Sequence, residues 1–518
     1  MKCKSYIICL VLFLLLNSIP AFSQLQPGEL GSKFFPDPDI EIPTPGFNKT
    51  EGFMNYSEMM GYINLQADKR SDIVKIVFIG ESISGKKIPL VLVENESKNS
   101  KVKIWMQGGL HGNEPAGTES ILMFINHLVE AKNIDSILRS ISFAFVPMAN
   151  IDGYEKQVRD NGNKADLNRD QVTLEQQESI YLKQAFSGFS PSVAIDFHEF
   201  RPFRKELDKF TGNKLCIAQD VLFLPSGNLN IPAQLRDLTN LVYLNDVKKK
   251  LGNNTITFDN YFVPDQDSNK INILRMGGDS PRSSSTSFGL TNTVSILFEI
   301  RGIGLDRNSY KRRVYSGYLI AQSIMETTLT NREKVLETVN ASINETIKRT
   351  NPIVLDSKPL TYEGNMNFID VKNLENISLD LQIQDAGRSQ SVSTRKRPKA
   401  YLLLAENAPV VRKLQILGLE IDTLKSDLKI KTEVFKIVVS AKKSVADSSI
   451  SVSVQTKVFP KGSFVISTAQ KNANMAVSTL EPEMENGYFR YKMIKANSDG
   501  EIPVYRLLKD VKPGKRIK

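Results

Sequence analysis

Histidine is scarce in this chain, three in 518 residues, so the position of each one is informative. His111 stands in Gln107-Gly108-Gly109-Leu110-His111-Gly112-Asn113-Glu114-Pro115, where an apolar run ends at a Gly pair and an imidazole is followed three residues later by a carboxylate. If the chain leaves a strand at Met106 and enters a helix near Gly117, both side chains face one spot and make half of a metal site. His198 closes a second apolar run, Val193-Ala194-Ile195-Asp196-Phe197-His198. Two imidazoles and one carboxylate at strand ends supply three ligands and leave a fourth position open, the catalytic rather than the closed structural arrangement of zinc. Taken alone, His198 reads equally as a polar residue satisfied at a strand terminus. His127 falls inside an amphipathic helical run and reads as a packed or surface histidine.

An open zinc position needs a base beside it, because the attacking water must lose a proton. Glu299, in Ile296-Leu297-Phe298-Glu299-Ile300-Arg301, is a carboxylate inside an apolar strand. Such a group is either paired or chemically useful, and Arg301, of the same strand parity, offers the pairing. Arg159 and Arg169 are fork-shaped donors suited to a carboxylate or an oxyanion, with the Asn168 amide beside them. Asp166 is placed to hold a ligand histidine in one tautomer. Read singly, each of these is equally a solvated loop charge.

The elements that must position these groups follow from the hydrophobic pattern. Helical spacing covers 56–67, and strands are expected at 73–79 and 88–93 around the turn Ser84-Gly85-Lys86. Strand and helix patterns then alternate: strand 102–106, helix 117–131, strand 141–147, helix 173–186, strand 192–197. That alternation argues for a sheet with helices on its faces. The pattern is irregular from 205 to 275 apart from a helix at 231–250. The Gly-, Ser- and Thr-rich stretch 276–290 reads as a mobile loop, 295–300 as a buried strand, and 310–348 as one long helical stretch. After Asn351-Pro352 the texture changes to short apolar strands between polar turns, with a helical period only near 408–417. Residues 353–518 therefore read as a smaller β-rich domain.

The first residues carry a basic start, the apolar run Tyr6 to Leu16 and small residues before Gln24, the composition of an export signal over 1–23. The run is short for a membrane span, and no later stretch is long and apolar enough to be one. Residues 24–55, rich in Pro and Gly, read as an extended surface lead-in. Two of the three cysteines leave with the signal, so Cys216 has no internal disulfide partner. An exported chain of this kind suits a bacterial periplasm or medium. Loss of Lys2 and Lys4, with no acid, lowers the formal charge from +10 to +8. The charge is scattered, and no nucleic-acid motif accompanies its largest cluster, Arg395-Lys396-Arg397 with Lys399.

Taken in order, His111-Gly112-Asn113-Glu114, Asn150-Ile151-Asp152-Gly153, Asp166-Leu167-Asn168-Arg169, Asp196-Phe197-His198 and Phe298-Glu299-Ile300-Arg301 resemble the motifs of the zinc metallocarboxypeptidase (funnelin, carboxypeptidase A-like) family. The resemblance covers roughly 55–345. It implies Zn2+ held by His111, Glu114 and His198, Glu299 as general base, Arg159 as polariser of the scissile carbonyl, and Asn168 with Arg169 as clamp on the substrate's terminal carboxylate. Asp166 then matches the partner of the first histidine. The implied fold is α/β, a mixed, mostly parallel eight-stranded sheet between helices over 56–348, here followed by the β-rich domain of 353–518. One departure stands out. Family members usually carry a tyrosine on the mobile loop ahead of the catalytic Glu, and 276–290 has none, Phe288 being its only aromatic.

The expected activity is hydrolysis of C-terminal peptide bonds by an exported enzyme acting on peptides with a free C-terminal carboxylate. Two alternatives remain open. The same site can serve an amide deacylase or a cell-wall peptide hydrolase, or the fold can serve as an inactive scaffold whose tail binds an unidentified partner.

Overall fold

The computed structural model describes residues 26–96, 101–265, 272–438, 449–511 and 515–516, so the expected export signal lies outside the described residues. The strands of the first part of the chain are β1 (Val74–Glu81), β2 (Lys87–Val93), β3 (Val102–Gly108), β4 (Ile141–Val146), β5 (Val193–Phe200), β6 (Leu215–Ile217), β7 (Val221–Pro225), β8 (Phe258–Asn260), β9 (Phe262–Pro264), β10 (Ile273–Met276) and β11 (Val294–Arg301). Eight of them form the central sheet in the order β1-β2-β4-β3-β5-β11-β7-β8. The middle, β4-β3-β5-β11, is parallel, the β1-β2-β4 edge and the β11-β7 pair are antiparallel, and β8 runs parallel to β7. The fold is thus the mixed eight-stranded sheet between helices expected from the sequence.

Every residue of β4 and β5 is buried, as parallel strands covered on both faces require. From β3 the chain passes to β4 on one side and later returns to β5 on the other. The reversal opens a crevice at the carboxyl ends of β3 and β5, where an α/β sheet receives its ligands. One helix roofing this region, Pro115–Glu130, approaches helix Tyr310–Thr330 so closely that a Cβ on Gly317 would stand 2.3 Å from Ser120 Oγ. Ser120 also donates to the Val314 carbonyl at 3.0 Å.

Several segments differ from the sequence reading. Residues 26–55 are a strap more than an extended lead-in. They contain a helix, Gly28–Phe34, and a 3-10 turn, Pro45–Asn48, and they bury Leu30 and Phe35. The stretch 276–290 is not an open loop, because its second half is a helix, Ser284–Gly289, buried at every position. Its small side chains carry no amphipathic signal, yet they allow close packing, with Phe288 stacked on Phe186 at 4.2 Å. The stretch 310–348 is two helices, Tyr310–Thr330 and Arg332–Lys348, separated at Asn331, whose side chain donates to the Thr327 carbonyl. The helix near 231–250 contains a π-helical turn at Leu238–Tyr243.

The later strands are β12 (Ile353–Asp370), β13 (Glu375–Arg395), β14 (Ala400–Leu403), β15 (Asp422–Thr423), β16 (Leu428–Val438), β17 (Ser449–Phe459), β18 (Phe464–Ser467), β19 (Glu501–Leu507) and β20 (Lys515–Arg516). The long β12–β13 hairpin completes a five-stranded sheet, β6-β12-β13-β10-β9, with strands from the irregular region. The other seven form a second sheet, β17-β16-β19-β14-β18-β15-β20. This region packs directly on the first, since Leu417 and Met475 belong to the main hydrophobic core. Among the described residues no helix is long and apolar enough to cross a membrane.

One ion pair ties the residue before β7 to helix Tyr310–Thr330. Asp220 takes Nε and Nη2 of Arg312 at 2.7 and 2.9 Å, with the two side chains only 5% and 8% exposed. Asp220→Ala strands a buried guanidinium and is expected to lower the unfolding free energy by about 3–5 kcal/mol, read from the denaturant midpoint. A change below about 1 kcal/mol would mean that water reaches the pair.

Candidate metal centre

The His111 segment owes its path to glycine. Gly109 has φ +62°, in the left-handed region that disfavours a Cβ, and it lets the chain turn off the end of β3. Gly112 lies against the backbone of Gly153, where a Cβ would come within 1.9 Å of the Gly153 carbonyl carbon. The two motifs are also laced by hydrogen bonds, Ala149 N to Gly108 O at 3.0 Å and Asn150 N to Gly109 O at 2.9 Å. The Asn-Ile-Asp-Gly segment, in which Asn150 caps helix Ile151–Lys156, is therefore the bed on which the His-Gly-Asn-Glu segment rests.

Glu114 occupies the N-cap position of helix Pro115–Glu130, with Pro115 in the first turn where its missing N–H costs nothing. Its carboxylate makes no cap bond. It turns instead to the two histidines, with Oε1 2.8 Å from His111 Nδ1 and Oε2 2.8 Å from His198 Nδ1. The two Nδ1 atoms are 3.0 Å apart. The far nitrogen of each ring meets a carboxylate, His111 Nε2 at Asp166 Oδ1 (3.0 Å) and His198 Nε2 at Asp196 Oδ2 (2.9 Å). Hydrogen bonds of that kind fix ring orientation and raise ligand basicity.

The electrostatics fit a cation. Burial pushes the Glu114 carboxyl up, but His111 and His198 hold it well below its ordinary value. Burial opposes charge on His198, yet Asp196 and Glu114 drive its pKa well above the usual value. Two ring nitrogens and a carboxylate converging in a buried place, backed by two further carboxylates, suit a divalent ion with N and O preferences, and zinc meets that description.

Glu299 is the parallel-strand neighbour of His198 in the β5–β11 register. Burial and the Glu114 charge push its pKa up to about 7. Arg301 does not pair with it. That guanidinium points the other way, donating to Gln26 Oε1 (2.8 Å) and the Ile217 carbonyl (2.7 Å) and stacking 3.8 Å from the Phe35 ring centroid. Glu299 has no hydrogen-bonded or ionic partner among the described residues, and it faces a cavity of about 1270 Å³.

Arg159, Asn168 and Arg169 line the same cavity. Arg159 grips Asp166 Oδ2 through Nε and Nη2 (3.1 and 2.8 Å), and its Nη1 lies 3.2 Å from His111 Nδ1. Asp166, raised by burial, is held well below its ordinary value by His111 and Arg159. Asn168 is buried and accepts from Ser284 N at 2.8 Å. Arg169 is exposed, its Nη1 donating to the Asn168 carbonyl.

Two groups escaped the sequence reading. Asp196 backs His198, and the signal was available, since residues two apart on a strand share a face. Tyr261 puts a phenol into the cavity, where burial and Glu299 raise its pKa to about 12. It lies between β8 and β9, well ahead of the stretch 276–290 that lacks a tyrosine. The Gly277 amide donates to its carbonyl at 2.7 Å, so only the folded chain brings it to that loop. His127 is packed, stacked on Phe124 with Nδ1 3.1 Å from the Tyr318 hydroxyl.

Residues 59–201 match the zinc carboxypeptidase family. The chain is similar to carboxypeptidase 2 of Trichophyton tonsurans, 28% identical over 505 residues that cover 94% of this chain and 92% of the relative. It is also similar to the probable carboxypeptidase 2 of Arthroderma benhamiae, 29% identical over 479 residues, 89% of this chain and 90% of that one. Among solved structures, a metallo-carboxypeptidase from Burkholderia cenocepacia aligns with a TM-score of 0.42 at 14% identity, covering 54% of this chain and 70% of the other.

The purified protein is expected to bind zinc at one site, as read by elemental analysis. His198→Ala loses it, and so does Gly112→Ala, because the added methyl must displace the ligand segment. Full zinc occupancy in both variants would place the metal elsewhere.

Proposed function

We propose that this chain, whose residues 59–201 match the zinc carboxypeptidase family, is an exported zinc metallocarboxypeptidase, periplasmic or secreted, removing C-terminal residues from peptides. The observation that carries this reading is Glu299, a carboxylate with no hydrogen-bonded or ionic partner among the described residues, beside three converging ligands in a cavity that holds Arg159, Asn168 and Arg169.

Zinc on His111, Glu114 and His198 supplies Lewis acidity and makes water acidic enough to attack near neutral pH. Glu299 takes the proton of the attacking water and passes it to the leaving amine. Arg159, steered by Asp166, stabilises the negative charge that develops on the scissile carbonyl oxygen. Asn168 and Arg169 hold the terminal carboxylate, so the bond presented to Glu299 is the last one of the chain. Tyr261 adds an O–H donor to the same cavity.

A second reading keeps the site and changes the substrate to a wall stem peptide, which also ends in a carboxylate. The cavity volume, above the usual range for small-ligand pockets, favours keeping it. Turnover of ordinary peptides against D-residue stem peptides separates the two.

Glu299→Gln is expected to retain zinc and lose turnover by about two to four orders of magnitude, and near-normal turnover would remove the base assignment. Arg169→Ala is expected to raise KM about tenfold to a hundredfold for peptides with a free C-terminus, the worth of a charged hydrogen bond, and far less for amidated ones. Equal effects on both would remove the clamp.

A further inference from the structure

The clamp pair is held from behind by the far end of the chain. Arg282 Nε donates to the Arg169 carbonyl at 2.8 Å, and Ser284 N donates to Asn168 Oδ1 at 2.8 Å. Residues 282–284 thus fix both the backbone and the amide of the pair. The guanidinium of Arg282 in turn lies over the Tyr491 ring, 4.9 Å from its centroid. The Tyr491 hydroxyl donates to Asn486 Oδ1 at 2.9 Å, and Ser280 Oγ reaches the same oxygen at 3.4 Å.

The segment just after the clamp is gripped from the same region. The buried Tyr488 hydroxyl donates to the Val172 carbonyl at 2.9 Å. Lys413 Nζ donates to the carbonyls of Thr173 and Leu174 at 2.6 and 2.8 Å. Leu174 has φ +50°, a conformation that a residue with a Cβ adopts only when its surroundings impose it. None of Lys413, Asn486, Tyr488, Tyr491 or Arg282 lines the cavity. Arg169 has no ion pair among the described residues, and its Nη1 donates to the neighbouring Asn168 carbonyl, so its aim follows from where that backbone is held.

We infer that the C-terminal region positions the substrate-carboxylate clamp: the Tyr491–Arg282 stack, with Tyr488 and Lys413, fixes residues 168–174 so that Asn168 and Arg169 meet the terminal carboxylate. This rests on the reading of that pair as the clamp. These side chains touch neither substrate nor metal, so their effect falls on binding of the free C-terminus and not on the chemical step.

The test uses the full-length zinc-loaded protein and a short peptide with a free C-terminus. Tyr491→Ala is expected to raise KM about fivefold to twentyfold, with kcat within about twofold and zinc content unchanged. Tyr491→Phe keeps the ring over Arg282 and is expected to restore KM to within about twofold of the parent. In an Arg169→Ala background the Tyr491→Ala change adds less than about twofold, because only Asn168 is left to be positioned. Arg282→Met breaks the same link from the other side and gives the same pattern should Tyr491→Ala fold poorly. An Arg169-dependent KM that ignores both changes, an equal rise in both backgrounds, or a loss confined to kcat would overturn the inference. A KM unmoved by Arg169→Ala itself strikes the clamp reading instead.

Discussion

Three ligand atoms converge in a place almost closed to water, with Glu114 and His198 1% exposed and His111 3% exposed. A buried carboxylate facing two imidazoles is costly unless every charge in the group is answered. Much of the local structure is that answer. Asp166 and Asp196 back the two rings, Arg159 backs Asp166, and Glu114 gives up the capping role that its position offers. The cluster survives only if all its members are placed together, which the parallel centre of the sheet does by setting the end of β3, Gly108, beside Phe197 of β5, and the next β5 residue, His198, beside Glu299 of β11.

The parts of this arrangement that were legible in the sequence are those with strong local signals. The apolar runs at 102–106, 141–147, 192–197 and 295–300 stand out at strand length, and β3, β4, β5 and β11 form there. With only three histidines, two stood out at the ends of apolar runs, and the family resemblance implied that they and Glu114 are the ligands. The place of Glu299 was legible too, because a lone Glu in an apolar strand is conspicuous, while its role as base is what the family resemblance implies.

What was not legible depends on contacts between distant residues. Tyr261 reaches the cavity through a backbone bond to Gly277, and nothing near residue 261 announces it. Arg301 shares strand parity with Glu299, yet it is drawn to Gln26 and Phe35, 275 and 266 positions earlier. Helix Ser284–Gly289 is uniformly buried, so it has no polar face from which a period could be read. Short β6 and β10 become strands because the long β12–β13 hairpin offers them a ladder to complete, and β9 then pairs with β10.

The strap formed by residues 26–55 is fastened along its length to the stretch 301–312. Gln26 is bonded to Arg301, the Phe35 carbonyl to Ser309, Asp37 to the Arg312 amide, the Ile40 carbonyl to Lys311, and the Gly46 and Gly52 carbonyls to Arg307. Every one of these partners lies more than two hundred and fifty residues downstream. Closing loops of that length comes late in folding. The residues synthesised early are therefore among the last to find their places, and until they do, Arg301 lacks its bond to Gln26 and its stacking on Phe35.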